Sequence, residues 1–307
     1  MESVIEVSHL KKYFKEVKAV DDISFTVKKG ELFGFLGVNG AGKTTTIQML
    51  TTLFPPTAGE VRICGLKLGE DNEKIKQHIG VVAQNNSLDK RLTIQENLLL
   101  RGGLYLDSKK QRKENLHRIC HILDLTDVLK RPYGKLSGGQ KRRAEIGAAL
   151  MHTPEILFLD EPTTGLDPAT RQQVWTVIAS LQKDLHMTVF LTTHYMEEAA
   201  NASHIAILQK GQIKEFGTPF SLKEKFAKDR LRLIPKKEAF PLVLQKISDL
   251  KLGYQQKEDS VFIPLDCTLD AISLLEQFRE NLQGFEVIQG TMDDVFLNAM
   301  KGDNCHE

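Results

Sequence analysis

Short apolar runs alternate with segments of helical apolar spacing along the first two thirds of the chain. The run 156–159, Ile-Leu-Phe-Leu, contains no polar residue, which is typical of a parallel strand buried on both faces. Helical spacing precedes it at 137–151 and follows it at 168–185, and another apolar strand is predicted at 188–191. Strands that alternate with helices in this way predict an α/β fold with a mostly parallel central sheet.

The N-terminal region favours short strands separated by turns. Strands are predicted at 4–7, 22–27, 31–36, 60–64 and 79–83, and a helix is predicted at 42–53, before Pro55 and Pro56. Apolar residues then recur at helical spacing from about 93 to 129. We therefore predict an N-terminal β-subdomain followed by a helical insert, which spans about 93–150 when the helix from Ser137 is included.

The pattern of predicted helices and strands changes after a basic helix predicted at 222–228. Residues 230–307 alternate short strands with helices, which predicts a small α+β domain behind a first domain at 1–225. Its last helix opens at Thr291, and Asp294 follows three residues later. This spacing favours an N-terminal capping pair over a metal site at Asp293 and Asp294.

Composition and charge restrict the classes of function. Among 307 residues, 41 are Lys or Arg and 40 are Asp or Glu, so the net charge of +1 gives no electrostatic case for a nucleic acid partner. The four cysteines form no CxxC pair, which indicates free thiols in a reducing compartment. No apolar run approaches the ~18 residues of a membrane-spanning helix, and the N-terminus lacks a secretory signal. We expect the chain to serve a membrane, if it does, from outside the bilayer.

A glycine-rich phosphate loop, GVNGAGKTT, occupies residues 37–45 between a predicted strand and a predicted helix. Backbone N–H groups of such a loop surround phosphates, and the helix that follows presents its positive end to them. We expect Lys43 to reach the β- and γ-phosphates and the Thr44 hydroxyl to bind Mg²⁺. The predicted contacts to ATP from this loop are Asn39, Gly40, Ala41, Gly42, Lys43, Thr44 and Thr45.

Paired acids end the apolar strand at 156–159. We expect Asp160 to orient water bound to Mg²⁺ and Glu161 to lie near the γ-phosphate as the general base for the attacking water. A second glycine-rich segment, LSGGQ at 136–140, opens the preceding helix and is called the signature segment below. Ser137 with the N–H groups of Gly138 and Gly139 predicts an anion site at a helix N-terminus.

Taken together, these motifs make residues 1 to about 225 resemble the nucleotide-binding domain of an ATP-binding cassette (ABC) ATPase, a P-loop NTPase. The resemblance implies that Tyr13 stacks on adenine and that Gln84 senses the γ-phosphate and metal and signals to a membrane partner. It implies that His194 binds the γ-phosphate and that Asp167 links the two sites of a dimer. In that dimer, each ATP contacts the phosphate loop of one chain and Ser137, Gly138, Gly139 and Gln140 of the other.

The segments YMEEA and GTMDDVFLNAMKG further resemble the drug-resistance-type ATPases of bacterial type-2 ABC exporters. This resemblance implies ATP and Mg²⁺ as cofactors, a homodimer at the cytoplasmic face of the membrane, and a separate permease that exports a drug, toxin, lipid or peptide. The alternative is a soluble ABC ATPase that acts on ribosomes or DNA. The sequence lacks the tandem cassettes or long coiled coils of such relatives. A small-molecule kinase would leave the signature segment without a role.

Two features remain outside this interpretation. His117 and His121 have the i, i+4 spacing of zinc ligands, but the run lacks the glutamate of the protease motif, which favours an exposed helix face. For residues 230–307, an accessory domain that stabilises the dimer and a regulatory ligand-binding domain both stay open. The absence of a convergent polar cluster favours the first.

Overall fold

The computed structural model describes residues 2–85 and 87–301, in two compact units. The first unit is Met1–Thr218 and the second is Pro219–Glu307. The division at Thr218 precedes the basic helix, whereas the sequence placed it between 225 and 230. In the described residues, no helix is both long enough and apolar enough to cross a membrane.

In its described residues, the first unit contains ten strands and seven α-helices. The strands are β1 (Ser3–Phe14), β2 (Val17–Lys28), β3 (Leu32–Gly37), β4 (Ala58–Ile63), β5 (Leu66–Lys67), β6 (Ile79–Val82), β7 (Ile156–Asp160), β8 (Thr188–Thr193), β9 (His204–Gln209) and β10 (Gln212–Gly217). The helices are α1 (Lys43–Leu50), α2 (Asn72–His78), α3 (Ile94–Gly103), α4 (Lys109–Ile122), α5 (Gly138–Leu150), α6 (Pro168–Leu185) and α7 (Met196–Ala199).

The central sheet has six strands in the order β10-β9-β3-β8-β7-β6, and all of its pairings are parallel except β10 with β9. Buried aromatic side chains fill one of its faces. Phe33 and Phe190 stack with ring centroids 5.2 Å apart, and Phe25 of β2 packs on Phe33 at 5.5 Å. The α/β fold with a mostly parallel central sheet is confirmed.

The N-terminal β-subdomain is an antiparallel sheet in the order β2-β1-β4-β5. Apolar residues alternate with polar ones along β2, so that Ile23, Phe25 and Val27 are buried and Ser24 and Thr26 are exposed. This pattern is typical of a sheet with one face on the core. The subdomain therefore packs β2 over the aromatic face of the central sheet.

The helical insert consists of α3, α4 and the signature helix α5. Its predicted helical stretch divides into α3 and α4, and each helix has its own side-chain cap, Thr93 for α3 and Ser108 for α4. Leu98 and Ile119 lie against Gly147 of α5, where a Cβ atom would stand 3.4 Å from both side chains. Small residues on α5 thus allow the three helices to approach closely.

Parallel strands place the ends that carry the motifs along one edge of the sheet. The phosphate loop follows β3, Glu161 follows β7, His194 follows β8, and Gln84 lies just beyond β6. These strands occupy the consecutive positions β3-β8-β7-β6. Ligands of open α/β sheets bind at the carboxyl ends of the strands, so this edge is where a site is expected.

The second unit contains a four-stranded antiparallel sheet in the order β12-β13-β11-β14. Its elements are α8 (Pro219–Phe226), β11 (Asp229–Pro235), α9 (Phe240–Asp249), β12 (Gln255–Lys257), β13 (Ser260–Leu265), α10 (Asp270–Phe278), β14 (Leu282–Ile288) and α11 (Met292–Lys301). From β11 to β14 the order of elements is β-α-β-β-α-β, the ferredoxin-like pattern. Apolar residues of α9 and α10 pack on one face of the sheet, with Leu231, Val243 and Phe278 buried between them.

The predicted capping pair at the start of α11 is confirmed. The Thr291 hydroxyl donates to Asp294 Oδ2 at 2.8 Å and accepts from the Asp294 N–H at 3.1 Å. The other oxygen, Oδ1, lies 3.4 Å from Arg230 Nη2. The pair therefore caps the start of α11, as the spacing indicated.

Candidate active site

Glycine is required where the phosphate loop meets α1. Gly42 has a φ of 108°, and a Cβ atom there would stand 2.4 Å from the carbonyl oxygen of Ala19 in β2. The next side chain, Lys43, is buried and donates to the carbonyls of Gly37 at 2.8 Å and Val38 at 3.2 Å. The loop thus surrounds the ammonium group of its own lysine.

The outer rim of the phosphate loop is accessible. Asn39, Gly40 and Thr44 are exposed, and Thr45 is half-buried, whereas Ala41 and Gly42 face the interior. The exposed members stand at the N-terminal end of α1, where the helix dipole and unpaired N–H groups favour an anion. This geometry suits the phosphates that the sequence predicts here.

The buried carboxylate of Glu161 contacts the other three side chains that the sequence predicts as catalytic. Glu161 Oε1 lies 3.6 Å from Lys43 Nζ. Glu161 Oε2 accepts a hydrogen bond from Gln84 Nε2 at 3.2 Å and lies 3.2 Å from His194 Nδ1. The Thr164 hydroxyl donates to the same oxygen at 3.0 Å. Residues from four strand ends therefore meet at Glu161.

Burial disfavours the charged form of Lys43 in this cluster. Desolvation lowers the pKa of Lys43 from its ordinary value, and the nearby carboxylates of Glu161 and Asp160 oppose that shift. Nδ1 of His194 lies 3.2 Å from Glu161 Oε2 but forms no hydrogen bond with it, and this buried nitrogen has no hydrogen-bond partner among the described residues. The imidazole thus faces Glu161 without being fixed by it.

Hard oxygen ligands suited to Mg²⁺ surround Asp160. Its Oδ1 accepts from the Thr192 hydroxyl at 2.6 Å and lies 3.4 Å from the Thr44 hydroxyl. Together with the amide of Gln84, these groups provide the carboxylate, hydroxyl and carbonyl oxygens that a small divalent cation prefers. The chemistry of the donor set therefore fits the predicted metal role of Thr44, Gln84 and Asp160.

The signature segment forms a complete capping box at the start of α5. Ser137 Oγ accepts from the Gln140 N–H at 3.3 Å, and Gln140 Oε1 accepts from the Ser137 N–H at 3.1 Å. Ser137 and Gly138 are exposed. Among the described residues, no hydrogen bond or ion pair joins this segment to the phosphate loop of the same chain.

Asp167 caps the neighbouring helix α6, beside the signature segment. Its Oδ1 accepts from the Thr170 N–H at 3.0 Å, and the hydrogen bond from the Thr170 hydroxyl holds the pKa of Asp167 below its usual value. A Cβ atom on Gly139 would stand 2.5 Å from Thr170 Cγ2. The starts of α5 and α6 consequently pack in direct contact, which only glycine at 139 allows.

Two buried charged residues of α5 were missed from the sequence. Arg142 donates to the backbone carbonyls of Ala83, Asp160, Glu161 and Pro162, at 2.8, 3.1, 2.8 and 2.5 Å. Glu145 accepts from the Ser87 and Leu88 N–H groups and from the Tyr133 hydroxyl. Both fall on the apolar stripe of the helix with Ile146 and Ala149, which was the available signal.

A third missed residue, Glu198, connects the loops after β7 and β8. Its carboxylate accepts from the hydroxyl of Thr163, and from that of Thr193 at 2.6 Å. Glu198 is buried, and Arg171 of α6 lies 4.0 Å away. The guanidinium of Arg171 also stacks over Tyr195 at 3.9 Å. These contacts hold the turn that carries His194.

Two adjacent aromatic residues at the end of β1 differ in their surroundings. The hydroxyl of Tyr13 donates to Asp21 at 2.5 Å, and that hydrogen bond raises the pKa of Tyr13. Phe14 is 44% exposed and makes an edge contact with Phe54, just beyond α1, at 6.3 Å. The predicted adenine platform, Tyr13, thus has its polar end already engaged, whereas the ring of Phe14 is accessible.

Other groups of metal-ligating residues lie away from this edge. Cys64, His78 and Glu155 approach within 4.8 Å, but Glu155 already contacts His78 Nδ1 at 2.8 Å and Lys29 Nζ at 3.5 Å. An ion-pair network accounts for this cluster. His117 and His121 are exposed on α4, as the sequence favoured.

Comparison with known proteins adds independent findings. The family model described as ABC transporter matches residues 20–164. The daunorubicin/doxorubicin resistance ATP-binding protein DrrA of Streptomyces peucetius is 35% identical over 301 residues, covering 95% of this chain and 91% of DrrA. The probable multidrug ABC transporter ATP-binding protein YbhF of Escherichia coli is 40% identical over 228 residues, or 74% of this chain. The chain spans only 39% of the length of YbhF.

A solved structure shows the same cassette architecture. The dimeric post-hydrolysis state of the ATP-binding cassette MJ0796, bound to ADP and Pi, superposes with a TM-score of 0.63 at 26% identity. It covers 70% of this chain, and this chain covers 98% of it.

Proposed function

Because the chain belongs to the family of ABC transporter ATP-binding proteins, we propose that it hydrolyses ATP to drive export through a separate membrane permease. The observation that carries this proposal is the convergence of Lys43, Gln84 and His194 on the buried carboxylate of Glu161. The drug-resistance names of the relatives favour an exporter over the soluble alternative. A drug, toxin, lipid or peptide remains the proposed class of cargo, and the membrane surface the proposed location.

Each residue of the cluster has a task in hydrolysis. Lys43 neutralises charge on the β- and γ-phosphates, and Glu161 accepts the proton of the attacking water. His194 approaches the γ-phosphate from the neighbouring strand end and stabilises the charge of the transition state. Thr44, Asp160 and Gln84 would hold Mg²⁺, which supplies further neutralisation of the phosphate oxygens when bound.

Nucleotide placement also requires a surface for the adenine. We assign this contact to the pair at the end of β1, and the exposed ring of Phe14 is better suited to stacking than the engaged Tyr13. Lys12 Nζ lies 5.1 Å from the Phe14 ring and 5.9 Å from Phe54, which places a positive charge at the same edge. Phe14 is therefore proposed as the main platform.

Two copies of the chain are proposed to share each ATP. Ser137 and Gly138 are exposed at the positive end of α5, and the described contacts do not join them to the phosphate loop of their own chain. An anion site of this kind can be completed by the nucleotide of a second copy packed head to tail. Asp167, at the adjoining helix start, would then face the partner as well.

A groove beside α3 is proposed as the docking site of the permease. It encloses about 340 Å³ and is lined by Thr51, Tyr105, Glu145 and His152 among others. Two exposed leucines lie close in sequence to the lining residue Tyr105: Leu100 is 62% exposed and Leu104 is 70% exposed. Glu145 lines this groove and also accepts a hydrogen bond from the Ser87 N–H, in the loop after Gln84. A permease segment bound in the groove would therefore change the position of Gln84.

The second unit is proposed to stabilise the dimer. It exposes several large apolar side chains, which include Leu269 at 70%, Ile272 at 58% and Phe285 at 57%. Apolar surface that is solvated in one copy can be covered in an assembly. Removing residues after 218 should then weaken ATP-driven dimerisation in analytical ultracentrifugation, and unchanged dimerisation would reject this role.

The proposed function is tested by co-expression of the chain with membrane proteins encoded beside it. Affinity purification from detergent extracts should yield a complex with a permease, and ATP hydrolysis should change when cargo is added. The variant Leu104→Glu should abolish the complex, whereas Leu185→Glu, at the exposed end of α6, should retain it. Isolation of the chain without any membrane protein would contradict the proposal.

A further inference from the structure

Arg142 contacts the two loops that carry the proposed catalytic residues. Its guanidinium bonds to the carbonyl of Ala83, directly before Gln84, and to those of Asp160, Glu161 and Pro162 after β7. The residue is only 5% exposed, and all of its hydrogen-bond acceptors are backbone atoms. This one side chain therefore joins α5 to both loops.

A lysine in this position could not make all four of these contacts. A guanidinium presents five N–H donors in a planar fork, whereas a lysine ammonium is a point charge on a flexible stem. Desolvation lowers the pKa of Arg142, and the nearby carboxylates of Glu145 and Asp160 counteract this effect. The charged form thus remains in place and bonds strongly to the four carbonyl dipoles.

Glu145 supplies a second anchor one turn further along α5. It accepts from the Ser87 N–H at 2.8 Å and the Leu88 N–H at 3.1 Å. Arg142 holds the loop before Gln84 and Glu145 holds it after Gln84, so Gln84 lies between two attachments to one helix. The loop cannot shift without α5.

The same helix begins at Ser137, the group proposed to meet the nucleotide of a second copy. We propose that Arg142 is a positioning residue that couples the contact of Ser137 with a partner's nucleotide to the orientation of Glu161 and Gln84 in its own chain. This inference rests on the proposed ATPase function. It makes α5 a rigid connection between the two nucleotide sites of a dimer, in addition to the contact at Asp167.

The experiment compares Arg142→Lys with Arg143→Lys. Arg143 is the matched control because it also donates to backbone carbonyls, those of Leu123 and Asp124, but within the helical insert. Displacement of a reacting group by about 1 Å can cost on the order of 100-fold in rate. We expect Arg142→Lys to lower kcat by roughly 10- to 100-fold, to leave ATP affinity within about twofold, and to reduce the Hill coefficient for ATP towards one.

Chemical rescue distinguishes positioning from a general packing defect. A cavity of about 210 Å³ adjoins Arg142 and is lined by Gln84, Gly138, Pro162 and Thr164. Methylguanidinium at millimolar concentration should enter the space left in Arg142→Gly and restore part of kcat. It should not act on Arg143→Gly. Absence of rescue, together with a normal kcat and Hill coefficient in Arg142→Lys, would overturn the proposal.

Amide hydrogen exchange gives a readout that needs no turnover. When a non-hydrolysable ATP analogue is titrated into the wild-type chain, protection at the start of α5 and in the segments around Gln84 and Glu161 should rise with one midpoint. In Arg142→Lys, the midpoint at the start of α5 should differ from the midpoints of the segments around Gln84 and Glu161. If the three segments of Arg142→Lys still share one midpoint, the coupling is rejected. If the wild type shows one shared midpoint but does not hydrolyse ATP, only the ATPase function is rejected.

Discussion

Nδ1 of His194 lies 3.2 Å from Oε2 of Glu161, the oxygen that also accepts the hydrogen bond from Gln84. The two residues follow adjacent parallel strands, β7 and β8, so the sheet itself fixes their separation. One oxygen of the Glu161 carboxylate, after β7, therefore lies close to side chains that follow two other strands, Gln84 after β6 and His194 after β8. In this arrangement, moving any one of them changes the environment of the proposed base.

Glu161→Gln removes the base but keeps the size of the side chain. General base catalysis contributes on the order of 100- to 10,000-fold, so we expect a loss of phosphate release in that range, with ATP binding retained. The variant should also accumulate as an ATP-bound dimer in size-exclusion chromatography. Glu31→Gln, a similarly buried glutamate that contacts His204 at 3.1 Å, serves as the control and should keep turnover. Normal hydrolysis by Glu161→Gln would reject the base assignment.

Phe14→Ala should weaken ATP binding more than Tyr13→Ala does. Stacking of a base on an aromatic ring is worth about 1 to 3 kcal/mol, so the dissociation constant should rise about fivefold or more for the true platform. Tyr13 is held by Asp21, and its removal should mainly lower the thermal stability of the β1–β2 hairpin. Isothermal titration with ATP decides between them. The reverse order of affinities would assign the adenine to Tyr13.

The stability of the first unit should depend on pH through His152. Burial lowers the pKa of this histidine from its ordinary value of 6.5, while its Nε2 lies 3.0 Å from the carbonyl of Ile79. The unfolded chain takes up a proton as the pH falls through about 6.5, and the folded chain resists it. The free energy of unfolding therefore decreases as the pH falls, until the lowered pKa is reached.

His152→Gln keeps a donor for the Ile79 carbonyl but has no imidazole to titrate. Between about pH 7.5 and about pH 5.5, its free energy of unfolding should fall less steeply than that of the wild type. Urea unfolding at several pH values measures the difference. His117→Gln, on the exposed face of α4, should keep the wild-type slope. Parallel curves for the wild type and His152→Gln would disprove the assignment.

Removal of Glu198 should loosen the turn that carries His194. Glu198→Gln leaves one amide where two threonine hydroxyls now donate to a buried carboxylate, so at least one donor is left poorly paired. We expect a loss of about 1 to 3 kcal/mol in stability and a lower kcat at unchanged ATP affinity. Thermal unfolding and steady-state kinetics measure both. An unchanged melting temperature would refute the structural role of this carboxylate.

The fold could be predicted where one residue pattern dominates. The buried strands β7 and β8, with their apolar runs at 156–159 and 189–191, and the long helix α6 follow from the local sequence pattern. Strands β9 and β10 were missed, although Lys210 and Gly211 both have positive φ values and form the tight turn between them. That turn type tolerates few residues besides Asn, Asp and Gly at its first position, so lysine gave little signal.

The residues of the site also differ in how far the sequence predicts them. Lys43, Glu161 and Ser137 lie in motifs whose residues act together because they are adjacent in sequence. The apolar stripe of α5 indicates that Arg142 points inwards, but the residue acts through backbone carbonyl groups 18 to 59 residues away, which no local pattern identifies. Register shifts in β1 similarly hide which of Tyr13 and Phe14 is accessible.

The sharing of each nucleotide between two chains is tested most directly by mixing Lys43→Ala with Ser137→Ala. Each variant alone should be nearly inactive, since both of its sites lack one half. In an equal mixture, half of the dimers combine the two variants, and each of these has one intact site. Phosphate release should then rise above the sum of the two variants, to at most about a quarter of the wild-type rate, which is the value for two sites that turn over independently. Wild-type activity of Ser137→Ala alone, or a mixture no more active than the sum of its parts, would contradict the shared site.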